Sequence, residues 1–464
     1  MPDAAAARII VVGQGAAGVA AALSAAEAAR AAGRPAEITL VDKASEAEAG
    51  GNTRWSPSNM RMASPELVED SFVRDVLAAT RNRGDARYFS RLAADAPEVA
   101  AWAASHGVTF IQPPYYLAKG PPRIQPQGGG AALLAALLEA AKAAGVRLLY
   151  GCSAREIVQT DGRITGLAVD HNGRRETLAA DAVVLASGGF QGNAALMREQ
   201  FGSGGETMRL ISPGTRANSG DGIAMALRAG AARSGDWNGM HAEPVDARAT
   251  NSAPVVLVYP FGIVVDRTGR RFFDEGAGLV HETWEWFARQ IHFYRPGSIA
   301  YAILDSRLFD IPDYQRAIRS EVEPYRADSL AELATRIDVD AKVLETTVAA
   351  YNTACAGDPA RFDPTRCDGL GTQGLAPPKS NWARALKPPY LAWPLVGAIA
   401  YTFGGIATDD CARVLRTDGT AIRGLYAAGE ITGHFYETAP NSVAVLRALM
   451  FGRVAGRDAV ATTI

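Results

Sequence analysis

The sequence predicts an α/β protein, a parallel-sheet domain assembled from both ends of the chain with an α+β lobe inserted between them. Three observations support this. Residues Arg8 to Lys43 read as strand, glycine-rich turn, alanine-rich helix and second strand, a βαβ opening. Near the other end, Gly424 to Ala428 reads as a buried apolar strand and Ser442 to Ala459 as a helix. The middle differs in texture, with Trp237, Trp284 and Trp286, two histidines near 281–292 and one long helical run from Ser329 to Cys355.

In chain order, Ile9 to Val12 is the first strand and Glu37 to Val41 the second, separated by a helix that ends at the turn Gly33-Arg34-Pro35. Gly128-Gly129-Gly130 leads into a helix through Ala144, stopped by Gly145, before a strand from Val146 to Tyr150. Ile157 to Val169 folds around Asp161-Gly162 as a hairpin, and Ala182 to Ala186 returns to a fully buried strand. The segment from Gly357 to Pro389 has little periodicity and is expected to wrap over a surface or cross between lobes. Ala398 to Arg423 reads as strands and turns. The domain boundaries expected are 1–236 and 399–464 for the split domain and 237–398 for the inserted lobe.

Bulk properties narrow the function. The chain has 464 residues, 48% of them hydrophobic and 21% charged, which is enough for two connected cores. A formal charge of −2 provides no field to draw in nucleic acid or an anionic membrane, so an anionic substrate must be recognised locally. Cys152, Cys355, Cys367 and Cys411 form no C-x-x-C pair, which argues against a cluster, zinc or c-type haem, and they are expected as buried small hydrophobes. No apolar run reaches the roughly 18 residues of a membrane span. The alanine-rich start from Ala4 to Ala7 lacks a basic region and cleavage site, so a cytoplasmic location is expected.

Two motifs carry chemistry. Gly13-Gln14-Gly15-Ala16-Ala17-Gly18 follows a strand and opens a helix, giving a tight turn at Gly13, close pyrophosphate approach at Gly15 and helix–strand packing at Gly18. Asp42, next to Lys43, ends the second strand, where a carboxylate accepts hydrogen bonds from ribose hydroxyls. Together these form a Rossmann-like dinucleotide fingerprint, which alone does not choose between NAD and FAD. The second motif chooses FAD. Gly424-Leu425-Tyr426-Ala427-Ala428-Gly429-Glu430 delivers a glycine and a carboxylate suited to ribityl hydroxyls. The helix start near Asn441, Ser442 and Val443 offers free N–H groups to negative charge on the flavin ring.

Taken together, these motifs resemble the fumarate reductase/succinate dehydrogenase flavoprotein superfamily over nearly the whole chain. The resemblance rests further on Gly50-Gly51-Asn52-Thr53, Ala186-Ser187-Gly188-Gly189-Phe190, Ser219-Gly220-Asp221-Gly222, and Gly262 to Asp266 followed by Arg271-Phe272-Phe273-Asp274-Glu275. Gly214-Thr215-Arg216, His241 with Asp246-Ala247-Arg248, and Thr347 to Asn352 are most similar to the tricarballylate dehydrogenase branch. The resemblance implies a lobe closing over FAD, with contacts from Gly51, Asn52, Thr53, Ser187, Gly188, Gly189, Gly220 and Asp221. Relatives with covalent flavin use a histidine where this chain has Asn52, so the FAD is expected to be non-covalent.

The same resemblance implies hydride exchange between flavin N5 and a carbon beside a carboxylate, with Arg271 handling the proton and clamping the substrate. His241 matches a substrate-binding histidine. His434 is expected near the flavin, while His106, His171, His281 and His292 carry no functional expectation. Tyr401 stands where fumarate reductases have a histidine, Pro440 lies in the region where they have an arginine, and Val255 to Tyr259 replaces their acidic and basic relay. A dicarboxylate clamped at both ends does not fit these changes. Tyr401 is then either a substrate-orienting or acid/base hydroxyl, as in ketosteroid dehydrogenases, or a core residue. Arg61, Arg216 and Arg447 are further candidates for a carboxylate. The expected enzyme acts on a small carboxylated, tricarballylate-like substrate and passes electrons to a separate protein or quinone. The alternatives are an apolar ketone substrate and an electron-relay subunit.

Overall fold

The computed structural model describes residues 6–114 and 120–463; Ala4 and Ala5 of the alanine-rich start lie outside them. The glycine-rich βαβ opening forms as the sequence dictates, with strands Ala7–Val12 and Ala36–Val41 pairing in parallel around helix Ala16–Ala31. The central sheet runs in the order 413–415, 421–427, 182–185, 7–12, 36–41, 147–149. Every neighbouring pair is parallel except the first, so both ends of the chain share one sheet.

The two ends are locked by helix packing. Helix Ala444–Thr463 lies against Ala16–Ala31, and Cβ atoms added at Gly452 and Gly456 would stand 2.3 Å from the Ala17 carbonyl oxygen and 2.1 Å from that of Ala21. Small residues on both helices thus permit backbone contact. On one face of the sheet these helices bury Val19, Leu23, Leu446, Leu449 and Phe451. The opposite face is covered by the three-stranded meander Ser153–Thr160, Arg163–His171 and Arg174–Ala179, whose first two strands are the expected hairpin.

A second sheet is built on the long strand Tyr390–Thr402, which pairs antiparallel with Met240–Asp246, Ala300–Asp305 and Tyr325–Ala327 and parallel with Arg209–Leu210. The expected boundary after position 398 falls inside this strand, so it does not coincide with a break in the ladder. The expected single helix from Ser329 to Cys355 is instead two helices, Leu330–Ile337 and Ala341–Ala354. Asp338 adopts a left-handed conformation at φ +55°, and Asp340 caps the second helix by accepting from the Val343 N–H at 2.9 Å. Three cysteines also differ from expectation: Cys152 is buried, Cys355 and Cys411 are half-buried and Cys367 is exposed. Among the described residues no helix is long and apolar enough to cross a membrane.

Candidate active site

A cavity of about 820 Å³ lies between the carboxyl ends of the parallel strands and the second sheet. Such a volume suits a cofactor together with a small substrate. At its nucleotide end, Gly13 leaves the first strand at φ +103°, and a Cβ there would sit 2.5 Å from the Ala186 carbonyl oxygen. Only glycine fits this turn. Gly18 lies behind the wall, with Gly13's carbonyl where its Cβ would be. Gly15, Ala16 and Ala17 face the cavity, and the Ala16 N–H donates to Thr53 Oγ1 at 3.1 Å. Asp42 is held by the N–H groups of Gln14 and Ala44, both at 2.8 Å. Burial raises its pKa against those bonds.

Further along, Gly51, Asn52, Thr53, Ser187, Gly188, Asp221, Gly429, Glu430, Asn441 and Ser442 all line the same cavity. Asn52 donates to the Ala400 carbonyl at 2.6 Å and accepts from Ser212 at 3.1 Å, so its amide is fixed by the second sheet. Lys43 also lines it and is ion-paired with Asp221 at 2.9 Å. Glu430 accepts from the Thr402 N–H at 3.2 Å and Asn218 Nδ2 at 3.1 Å. Burial pushes its pKa up to about 7. Gly189, Gly220 and Val443 are not on the wall; they shape it from behind. Gly189 approaches Thr402 and Glu430, Gly220 heads helix Asp221–Arg228, and Val443 is fully buried.

At the far end, His241 and Tyr401 are cross-strand partners whose rings stack with centroids 4.8 Å apart. A bulge between His241 and Ala242 re-aims the strand here. His241 bonds Glu285 through Nδ1 and Glu243 Oε1 through Nε2 at 3.1 Å. Burial lowers the imidazole pKa, but the Glu285 charge and bonds to both carboxylates raise it to about 10. Tyr401 is held well above 10 by burial and by the nearby glutamates, so it stays a protonated donor. The rest of this end is apolar Val255 and Leu257, aromatic Trp284, and basic Arg123, His281, Arg316 and Arg319.

Sequence reasoning missed Glu243, Glu285 and Arg319 and set His281 aside. A signal existed for part of this, since His281, Trp284 and Glu285 lie at i, i+3 and i+4 on helix Val280–Tyr294. Two expectations are corrected. Arg271 is not on the cavity wall: its guanidinium pairs with Glu275 and donates to the carbonyls of Phe273, Pro377 and Pro378. All three guanidinium nitrogens donate within this buried pin. His434 is likewise off the wall, stacked 3.7 Å from the Tyr88 ring and bonded to Thr408 at 2.9 Å. Of the other arginines, Arg61 pairs with Asp75 off the wall. Arg216 is an exposed residue at the cavity, and Arg447 reaches it with Nη1 bonded to Thr432.

The cavity fits FAD: the side of Gly15 is open, with no atom nearer to an added Cβ than Thr53 Oγ1 at 3.7 Å, and two anchored carboxylates stand at separate stations along it. Fold and site define a flavin-dependent oxidoreductase. The chain belongs to the family described as FAD binding domain, whose model matches residues 8–442. It is 28% identical over 476 residues to the probable fumarate reductase Ifc3 of Shewanella frigidimarina, covering 97% of this chain and 74% of that protein. It is 32% identical over 361 residues to a 4-oxocyclohexanecarboxylate 2-dehydrogenase of Sinomonas cyclohexanicum, covering 71% and 60% respectively. The open conformation of a flavocytochrome c3 fumarate reductase superposes with a TM-score of 0.79 at 25% identity, over all of this chain and 79% of that one. The protein is thus an FAD-dependent enzyme of the class acting on CH–CH bonds.

Proposed function

We propose that the protein oxidises or reduces the CH–CH bond of a small carboxylated substrate, with residues 237–398 acting as a lobe that covers non-covalent FAD. The observation that supports this best is the union, in one cavity, of the nucleotide motifs with an apolar end bearing Arg319. The Arg319 guanidinium makes no hydrogen bond or ion pair with protein among the described residues, leaving its planar fork open to a carboxylate. Bound FAD supplies a two-electron exchange with carbon as hydride. The Tyr401 phenol, kept protonated, orients an acceptor oxygen of the substrate. Electrons pass to a separate acceptor, a protein or a quinone, and the enzyme works in the cytoplasm.

Tricarballylate is one substrate of this class. A cyclic keto acid is the second reading, favoured by the open guanidinium of Arg319 on the same cavity as Tyr401 and the apolar wall, and by likeness to the dehydrogenase of 4-oxocyclohexanecarboxylate. The test is anaerobic flavin bleaching with tricarballylate, 4-oxocyclohexanecarboxylate and a 3-ketosteroid, together with reoxidation of the reduced protein by fumarate. Reaction with at least one carboxylate is expected. Reaction confined to the uncharged ketosteroid would overturn the proposal.

A further inference from the structure

We propose that Glu243 is the residue that exchanges the proton with the substrate carbon. The inference rests on the function proposed above and concerns which side chain of the substrate end completes it. Glu243 and His241 both face the cavity from strand Met240–Asp246. His241 cannot serve, because both ring nitrogens are engaged by carboxylates, Nδ1 by Glu285 and Nε2 by Glu243. Glu285 is the more enclosed carboxylate, 9% exposed at the side chain, and also accepts from the Ala439 N–H.

Glu243 is different. Its side chain is 20% exposed on the cavity wall, and while Oε1 accepts from His241, Oε2 has no hydrogen bond among the described residues. One oxygen is thereby oriented and the other is free to receive a proton. Burial pushes the carboxyl pKa up, but the bond to His241, its charge and that of Arg319 outweigh this and keep it ionised. The neighbours are worse bases. Tyr401 is held protonated, and the Arg319 guanidinium offers donors and no acceptor.

In the oxidative direction the C–H bond on the carbon next to the substrate's carboxylate or carbonyl breaks, and its proton goes to Glu243 Oε2. The electron pair left behind becomes the new C=C bond. The neighbouring carbon loses hydride, with both electrons, to bound FAD. One proton is then on Glu243 and two electrons and one hydrogen are on the cofactor. Reduction runs the same transfers backwards.

The test uses the FAD-loaded full chain and whichever substrate bleaches the wild type. E243Q keeps the shape and a hydrogen-bonding oxygen towards His241. It is expected to retain FAD and the substrate-induced shift of the flavin spectrum while bleaching falls at least about 100-fold. Exchange of the substrate's acidic C–H with D2O, followed by NMR, should fall in parallel. As a second variant, E243A should regain bleaching in proportion to added formate. Bleaching by E243Q within about threefold of wild type, or an E243A that formate does not restore, would overturn the assignment of Glu243. A wild type bleached by no carboxylated substrate would instead remove the functional reading on which it rests.

Discussion

Arg271 grips Glu275 with two prongs, Nε to Oε1 at 3.1 Å and Nη2 to Oε2 at 2.6 Å, on side chains only 4% and 0% exposed. Glu275 also accepts from the Val264 N–H at 2.7 Å, so the pair ties the basic turn to strand Ile263–Asp266. Arg271→Ala should therefore act on stability. Leaving Glu275 buried and unpaired costs about 3–5 kcal/mol, read as a lower thermal midpoint. The fraction that stays folded at low temperature should still turn over. An unchanged midpoint with abolished turnover would restore Arg271 to the chemistry.

Asp42→Ala should weaken FAD binding without unfolding the sheet. Its carboxylate is already oriented by two backbone N–H groups, and a charge-assisted bond to a ribose hydroxyl contributes about 1.5–3 kcal/mol. Titration of apoprotein with FAD would show a dissociation constant raised some tenfold or more. Equal affinity in the two proteins counts against the ribose contact.

Acid precipitation should release all the flavin, because Asn52, fixed between Ala400 and Ser212, offers an amide and no nucleophile. The supernatant should carry the full flavin absorbance. Yellow colour persisting in a washed pellet would indicate a covalent link.

Arg319→Ala should raise KM for the carboxylated substrate about tenfold, near 1.4 kcal/mol, with a smaller change in kcat. Arg319 sits at the exposed edge of the cavity, where solvent weakens each contact. Arg319→Lys should recover only part of the loss. An unaltered KM in Arg319→Ala would move the carboxylate to Arg123 or Arg316.

Acid should destabilise the protein through His434. Burial, and after it the Arg447 charge, lower this imidazole from 6.5 to about 3. The folded pKa lies below the unfolded one, so the unfolded chain binds the extra proton between those values. The contribution is complete above about pH 6.5 and is lost as pH falls towards 3. Thermal midpoints of the wild type should drop more steeply from pH 6.5 to 4 than those of His434→Gln. Parallel slopes would show that His434 takes up its proton equally in the folded and unfolded chain, with no lowering by burial.

The sequence by itself determined the parts that local physics dictates. The turn at Gly13, the alanine-rich helix, Asp42 at the second strand's end and the Gly429-Glu430 pair all follow from short-range spacing, and all stand around one cavity. Helix 330–354 was legible as helical but not as two pieces, because Asp338 and Asp340 break and cap it through backbone geometry that apolar periodicity does not record. The substrate end was decided by tertiary structure. His241 meets Tyr401 through strand register and a bulge, Glu285 arrives from a helix packed on that strand, and Arg319 comes from a segment hydrogen-bonded to Val255. Arg271 shows the converse: a motif fixes that an arginine stands in a basic turn, but only the packing of Glu275 and two proline carbonyls around it decides where the charge is spent. Side-chain direction at such positions depends on contacts between elements remote in sequence, and a one-residue change of register would reverse it.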